Sequence, residues 1–185
     1  MKAGIRNYEN LLKVFAELRK FGIITNADIT DWADEILASE NSSDYEFIEI
    51  STTKSTHDLI VILDKNSQHA DLEIVCRAML GILYHSLETT SLEFKKALKM
   101  IHEISYEEKL TNDEQFLLYG FSEVSMYDLR GNYEGFRLFK EDLMEFLKIY
   151  EDFTLANYKE WNLINEVLST DLTGKLAKIN HNYPY

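Results

Sequence analysis

A chain of 185 residues, 45% hydrophobic and with a formal net charge of −13, carries enough apolar material for a sizeable core and repels both nucleic acid and anionic lipid. Its 1 Cys, Cys76, excludes an intrachain disulfide and fits a reducing compartment; 7 Gly and 1 Pro, Pro184, leave little to interrupt helices. The first residues lack the apolar run of a signal peptide and no stretch is apolar for long enough to cross a bilayer, so a cytoplasmic protein is expected.

In chain order, Leu11, Leu12, Val14, Phe15 and Leu18 recur at helical spacing and predict a first helix over about residues 8–21, with Asn7 as N-cap and Gly22 as C-cap. Thr25 or Asn26 caps a second helix whose inner stripe is Ile29, Trp32, Ala33, Ile36 and Leu37. Residues 45–50 fit a short helix or a strand, and the apolar run 59–63 is equally ambiguous by periodicity. A strand there has no partner in this chain, so a helix over about residues 56–65 is predicted.

The stretch 71–88 is apolar most of the way round, interrupted by Glu73, Arg77 and His85, and must be covered on most sides. A helix capped by Ser91 and carrying Phe94, Leu98 and Ile101 follows. Next comes one capped by Thr111 or Asn112, with Phe116, Leu117, Phe121 and Val124 inward and Tyr127 extending the pattern. Gly131-Asn132 breaks it before a helix striped with Phe136, Phe139, Leu143, Phe146, Leu147 and Tyr150. A last helix, about 155–168, uses Tyr158, Trp161, Leu163, Ile164 and Val167, and a loosely held tail is expected over about 171–185. The predicted fold is all-α: one domain, 1–185, an array or bundle of antiparallel helical hairpins around the buried central helix.

The charge is placed unevenly. Residues 21–53 contain no Lys or Arg but carry Asp28, Asp31, Asp34, Glu35, Glu40, Asp44, Glu46 and Glu49. Residues 113–152 hold ten acids against four bases, Glu141, Asp142 and Glu145 among the acids. A helix bearing Asp28, Asp31, Asp34 and Glu35 has the wrong sign for DNA recognition, and its segment lacks the alternating carboxylates and Gly of a calcium hand.

No phosphate-cradling loop, nucleophile elbow or His-Glu-x-x-His motif occurs. His85 and Glu88 stand at i, i+3, where both reach one metal ion, but the other histidines have no Glu three residues away, so no metal site is predicted. Cys76, between Val75 and Met79, reads as a small buried hydrophobe. No catalytic residue and no cofactor are assigned.

Two stretches carry resemblances. Leu80-Gly81-Ile-Leu-Tyr84 and Gly131-Asn132-Tyr133-Glu134 resemble the helix core and the turn of the tetratricopeptide repeat. Phe136, Lys140 and Glu88 depart from that pattern, so the likeness implies stacked helical hairpins that bind a peptide or protein. Gly22-Ile-Ile-Thr25 and Trp32-Ala-Asp34 are similar to small bacterial proteins of the toxin-immunity type, over about the first third of the chain.

The sequence therefore predicts a non-enzymatic binding protein that takes a basic protein partner on acidic helical faces, in its most concrete form an immunity protein against a cationic toxin. Asp28, Asp31, Asp34, Glu35, Glu141, Asp142 and Glu145 are the candidate partner-binding acids. Tyr119, Tyr127 and Tyr133 are the candidate aromatic anchors, with Trp161 a further one. The alternatives are a helical-repeat adaptor or sensor for a peptide or small ligand, its pocket lined by those tyrosines, and a metal-dependent hydrolase with an acidic site. No nucleic-acid or membrane partner is expected, and no oligomeric state is assigned.

Overall fold

A computed structural model describes residues 4–39, 44–124 and 131–179. Over those residues the fold is all-α, with no strand. Its helices are α1 Glu9–Lys20, α2 Asn26–Ser39, α3 Tyr45–Thr52, α4 Thr56–Lys65, α5 Leu72–Glu88, α6 Phe94–Ser105, α7 Asn112–Glu123, α8 Tyr133–Lys148 and α9 Trp161–Leu176. Short 3-10 helices at Ile5–Tyr8 and Leu155–Glu160 lead into α1 and α9. The two ambiguous stretches are the helices α3 and α4. None of the described helices is long and apolar enough to cross a membrane. Where the sequence suggests one domain, the contacts gather into two compact units, Met1–Val75 and Cys76–Tyr185, the division falling inside α5.

In the first unit α1 packs on α4, α2 on α3 and α3 on α4. The edges of the Tyr8 and Phe15 rings meet Trp32, each at 5.4 Å between centroids, and Phe47 closes the cluster from α3 at 5.9 Å. Asn7 does not cap α1, because the chain is already turning in the 3-10 helix before it. Gly22 does end α1: its φ is +67°, and the Ile23 N–H returns to the Leu18 carbonyl at 2.9 Å. A Cβ at Gly22 meets nothing within 4 Å, so only backbone strain opposes a substitution. Gly22→Ala is expected to lower unfolding stability by about 1–2 kcal/mol, and Gly22→Asn by less, read as shifts of the urea midpoint.

The second unit is built on aromatic and ionic contacts. α6 packs on α7. Phe94 of α6 and Phe121 of α7 both meet Phe139 of α8 at 6.0 Å between centroids, and Phe121 also meets Phe146 at 5.4 Å. Residues 74–84 of α5 are buried without interruption, three turns with no exposed face.

Arg77 lies in that run and is 1% exposed. Its guanidinium donates to both carboxylate oxygens of Glu114 on α7, at 2.9 and 3.0 Å, and its remaining edge donates to Asn165 Oδ1 at 2.7 Å and Ser169 Oγ at 2.9 Å on α9. Glu114 also accepts from the Tyr150 hydroxyl at 3.0 Å and from the Thr111 N–H and hydroxyl at 2.8 Å, completing the capping box of α7. Burial pushes the Glu114 pKa up, but the hydrogen bonds from Arg77 and Thr111 outweigh it and hold the carboxyl below its ordinary range. Burial, reinforced by the Glu114 charge, drives the Tyr150 phenol the other way, well above its usual value.

Several expectations are overturned in this unit. Phe116, expected inward, is 75% exposed, and Trp161, expected as an exposed anchor, is 1% exposed with its Nε1 donating to the Thr154 carbonyl at 3.0 Å. α9 begins later and runs further than predicted: Trp161, Leu168, Leu172 and Leu176 are its buried residues, whereas Leu163 and Val167 face outward. α9 thus extends to Leu176, into the stretch 171–185 expected as a loosely held tail, and residues 180–185 lie outside the described residues. Ser91 does not cap α6, whose N-cap is Glu93; the Ser91 hydroxyl donates back to the Ser86 carbonyl at 3.1 Å.

Candidate protein-binding surface

The acidic candidates of the first unit sit on α2. Thr25 and Asp28 cap that helix reciprocally: the Thr25 N–H and hydroxyl both donate to the Asp28 carboxylate at 2.7 Å, and the Asp28 N–H donates to Thr25 Oγ1 at 3.2 Å. Those bonds hold the Asp28 carboxyl below its ordinary range, which makes Asp28 a helix-starting residue before it is anything else. Asp34 accepts a hydrogen bond from Ser51 of α3 and ties the two helices. Asp31 and Glu35 are exposed on the outward face, opposite the buried Ile29, Ala33 and Ile36. On α3, Tyr45 and Ile48 are exposed at 68% and 44%, beside the half-buried Glu46 and Glu49.

Three cations of the unit are engaged elsewhere. Lys13 and Lys20 of α1 both bridge to Glu17 and to Asp64 of α4, at 2.9–3.2 Å. Arg19 donates to neutral oxygens, Asn26 Oδ1 at 2.7 Å and Thr56 Oγ1 at 3.0 Å. Among the described residues no Lys or Arg forms an ion pair with Asp28, Asp31, Asp34, Glu35, Glu46 or Glu49. The α2–α3 face thus keeps its negative field, and two apolar side chains stand within it.

The acidic stretch of the second unit fares differently. Glu141 pairs with Arg137 at 2.6 Å, and the same guanidinium holds Glu134 at 2.5 Å, so two acids of α8 share a local cation. Asp142, a candidate partner-binding residue, is 0% exposed and cannot meet a partner: it falls on the inner face of α8 with Phe139, Leu143 and Phe146. Of the three, Glu145 is exposed and, among the described residues, forms no ion pair. Tyr119 and Tyr133 are exposed, at 52% and 90%, as an anchor role requires, while Tyr127 lies outside the described residues.

Neither exposed tyrosine lines an apolar groove found in this unit among the described residues. That groove, about 200 Å³, runs between the end of α8 and α9 and is walled by Ile149, Phe153, Leu163, Ile164, Val167 and Leu168, with Asp152 and Lys175 at its rim. Among the described residues no three His, Cys, Asp or Glu side chains gather to hold a metal ion, and His85 Nε2 is 2.7 Å from the Glu151 carbonyl. Comparison with protein-family models, curated proteins and solved structures finds no match to the chain.

Sequence reasoning missed the Arg77–Glu114–Tyr150 assembly, although it had a signal. An arginine in the middle of an apolar helix needs a buried counter-charge, and the capping pattern of Thr111 and Glu114 showed where a carboxylate was fixed. The assembly is closed, with each of its three members 1% exposed or less. Its evident job is to hold α5, α7, α9 and Tyr150 together.

Proposed function

We propose that the protein is a non-enzymatic, cytoplasmic binding protein whose α2–α3 face receives a basic protein partner. The observation that carries this reading is the set of carboxylates there, which among the described residues no Lys or Arg neutralises, interleaved with the exposed Tyr45 and Ile48. Such a face steers a cationic surface toward it and offers apolar contacts once water is expelled. The concrete version is an immunity protein that neutralises a cationic toxin, in line with the resemblance carried by Gly22, Thr25, Trp32 and Asp34. Each of those four residues also has a role within the unit: a helix end, a helix cap, a half-buried ring in an aromatic cluster and a tie between helices.

The test reverses charge where no structural bond is lost. Asp31→Lys/Glu35→Lys is expected to fold with a stability within about 0.5 kcal/mol of the wild type, because both side chains are exposed. A basic protein captured from the native host by the wild type should associate with the variant at least about tenfold more slowly, and its association with the wild type should slow as salt is raised. Capture of no basic protein, or binding that responds neither to salt nor to the two reversals, overturns the proposal.

A further inference from the structure

The α6–α7 hairpin turns aromatic rings outward where charged side chains are the rule. The inner face of α7 is Glu114, Leu117, Leu118 and Phe121, so its outer stripe is Asp113, Phe116, Tyr119 and Glu123. The matching stripe of α6 is Lys95, Lys99, His102 and Tyr106, all exposed. Tyr106 is 64% exposed and packs edge-on against His102, with centroids 5.1 Å apart. α6 packs on α7, so the exposed stripes of the two helices belong to one hairpin. The connection is fastened: Gln115 Nε2 donates to the carbonyls of Glu107 and Leu110 at 2.9 and 3.2 Å.

Charge is graded along the hairpin from one end to the other. The open end of the hairpin carries Lys95, Lys96 and Lys99, with Glu93 and Glu123. The connecting end carries Glu103, Glu107, Glu108 and Asp113, with Lys109. Phe116 and Tyr119 lie midway along α7, with His102 and Tyr106 toward the connection. Turned through a two-fold axis, such a pattern complements itself: rings meet rings, and each lysine end meets an acidic end.

We propose that the α6–α7 face pairs with the same face of a second copy of this chain, antiparallel across a two-fold axis. The rings are the buried centre of the contact and the charged ends are its rim, so the rings carry most of the affinity and the ends fix the orientation. The net charge of −13 on each copy opposes approach, which makes the dimer weak and calls for measurement near physiological salt.

Sedimentation velocity of the full chain, from about 1 to 500 µM, should show a reversible monomer–dimer equilibrium. Phe116→Ala/Tyr119→Ala should weaken it at least about tenfold with an unchanged melting temperature, because both rings are exposed and alanine suits a helix. Lys95→Glu/Lys99→Glu and Glu103→Lys/Glu108→Lys should each be monomeric alone, since like charges then face each other. An equimolar mixture of the two should dimerise again. A wild type that stays monomeric throughout, a dimer indifferent to loss of the rings, or a mixture of the charge variants that stays monomeric would each overturn the proposal. Partner binding at α2–α3 is read separately, with the Asp31 and Glu35 reversals.

Discussion

Arg77→Met is expected to cost about 3–5 kcal/mol of unfolding stability, because it removes the cation and leaves Glu114 buried with its charge. Methionine keeps most of the stem volume, so packing loss is a minor part of that cost. The Arg77→Met/Glu114→Gln pair should recover a good share of it, since the orphaned charge is gone although the Thr111 cap is weakened. Urea unfolding followed by far-ultraviolet circular dichroism measures all three.

The pH dependence separates this account from a simple cavity effect. In the wild type the folded Glu114 pKa lies below the ordinary 4.5. The contribution of Glu114 is therefore fully present above that pH and lost as pH falls through the lower folded value. Without Arg77, burial dominates and raises the folded pKa, so the sign reverses: protonating Glu114 relieves the penalty, and the stability deficit of the variant against the wild type should shrink as the medium is acidified toward pH 4.5. A deficit that stays constant between neutral and acid pH would show that the pair does not act as a charge pair.

The second large effect is expected at Gly81. A Cβ there would lie 2.7 Å from the Phe153 carbonyl oxygen and 2.8 Å from the Phe153 Cβ, and closer still to the Tyr150 carbonyl oxygen. Backbone cannot swing aside as a long side chain can, so α5 must move away from the 150–153 turn. Gly81→Ala should destabilise by about 1–3 kcal/mol, a drop of roughly 3–10 °C in melting temperature, and Gly81→Val should cost more. Gly120 supplies the control: it is also helical, but a Cβ there meets nothing within 4 Å. Gly120→Ala should therefore raise stability by up to about 1 kcal/mol, since only helix propensity changes. Equal effects at the two glycines would remove the close-approach argument.

These two residues show why the sequence disclosed the helices more readily than their orientation. Caps and breaks are local: Thr25 with Asp28, Ser55 before α4, Thr111 with Glu114 and Asn132 before α8 all act within three residues, so helix existence was legible. Orientation about the axis is not local. α7 is apolar on several sides, with Phe116, Leu117, Leu118, Tyr119 and Phe121, and periodicity alone does not say which arc is covered. The choice is made by Arg77, 37 residues earlier in the chain, which holds Glu114 inside; the arc of Glu114, Leu117, Leu118 and Phe121 follows it in, and Phe116 and Tyr119 are left outside.

The candidate site divides along the same line. The missing bases of residues 21–53 are a property of composition that no packing can alter, so Asp31 and Glu35 were readable as a charged surface. For α8, charge counting could not tell that Asp142 shares the inner arc with Phe139 and Phe146, nor that Arg137 reaches both Glu134 and Glu141. Trp161 was misread for a related reason. An indole suits both interiors and interfaces, and a single backbone acceptor, the Thr154 carbonyl, is enough to admit it to the core.

The placement of the two indoles has a practical outcome. The chain has 2 Trp, and Trp32 belongs to the first unit while Trp161 belongs to the second. Each unit thus contains one intrinsic fluorophore, the first among the rings of Tyr8, Phe15 and Phe47 and the second sealed at 1% exposure. With one indole replaced by phenylalanine, the emission that remains reports a single unit, and whether the halves melt together or in succession becomes a matter of comparing two spectra.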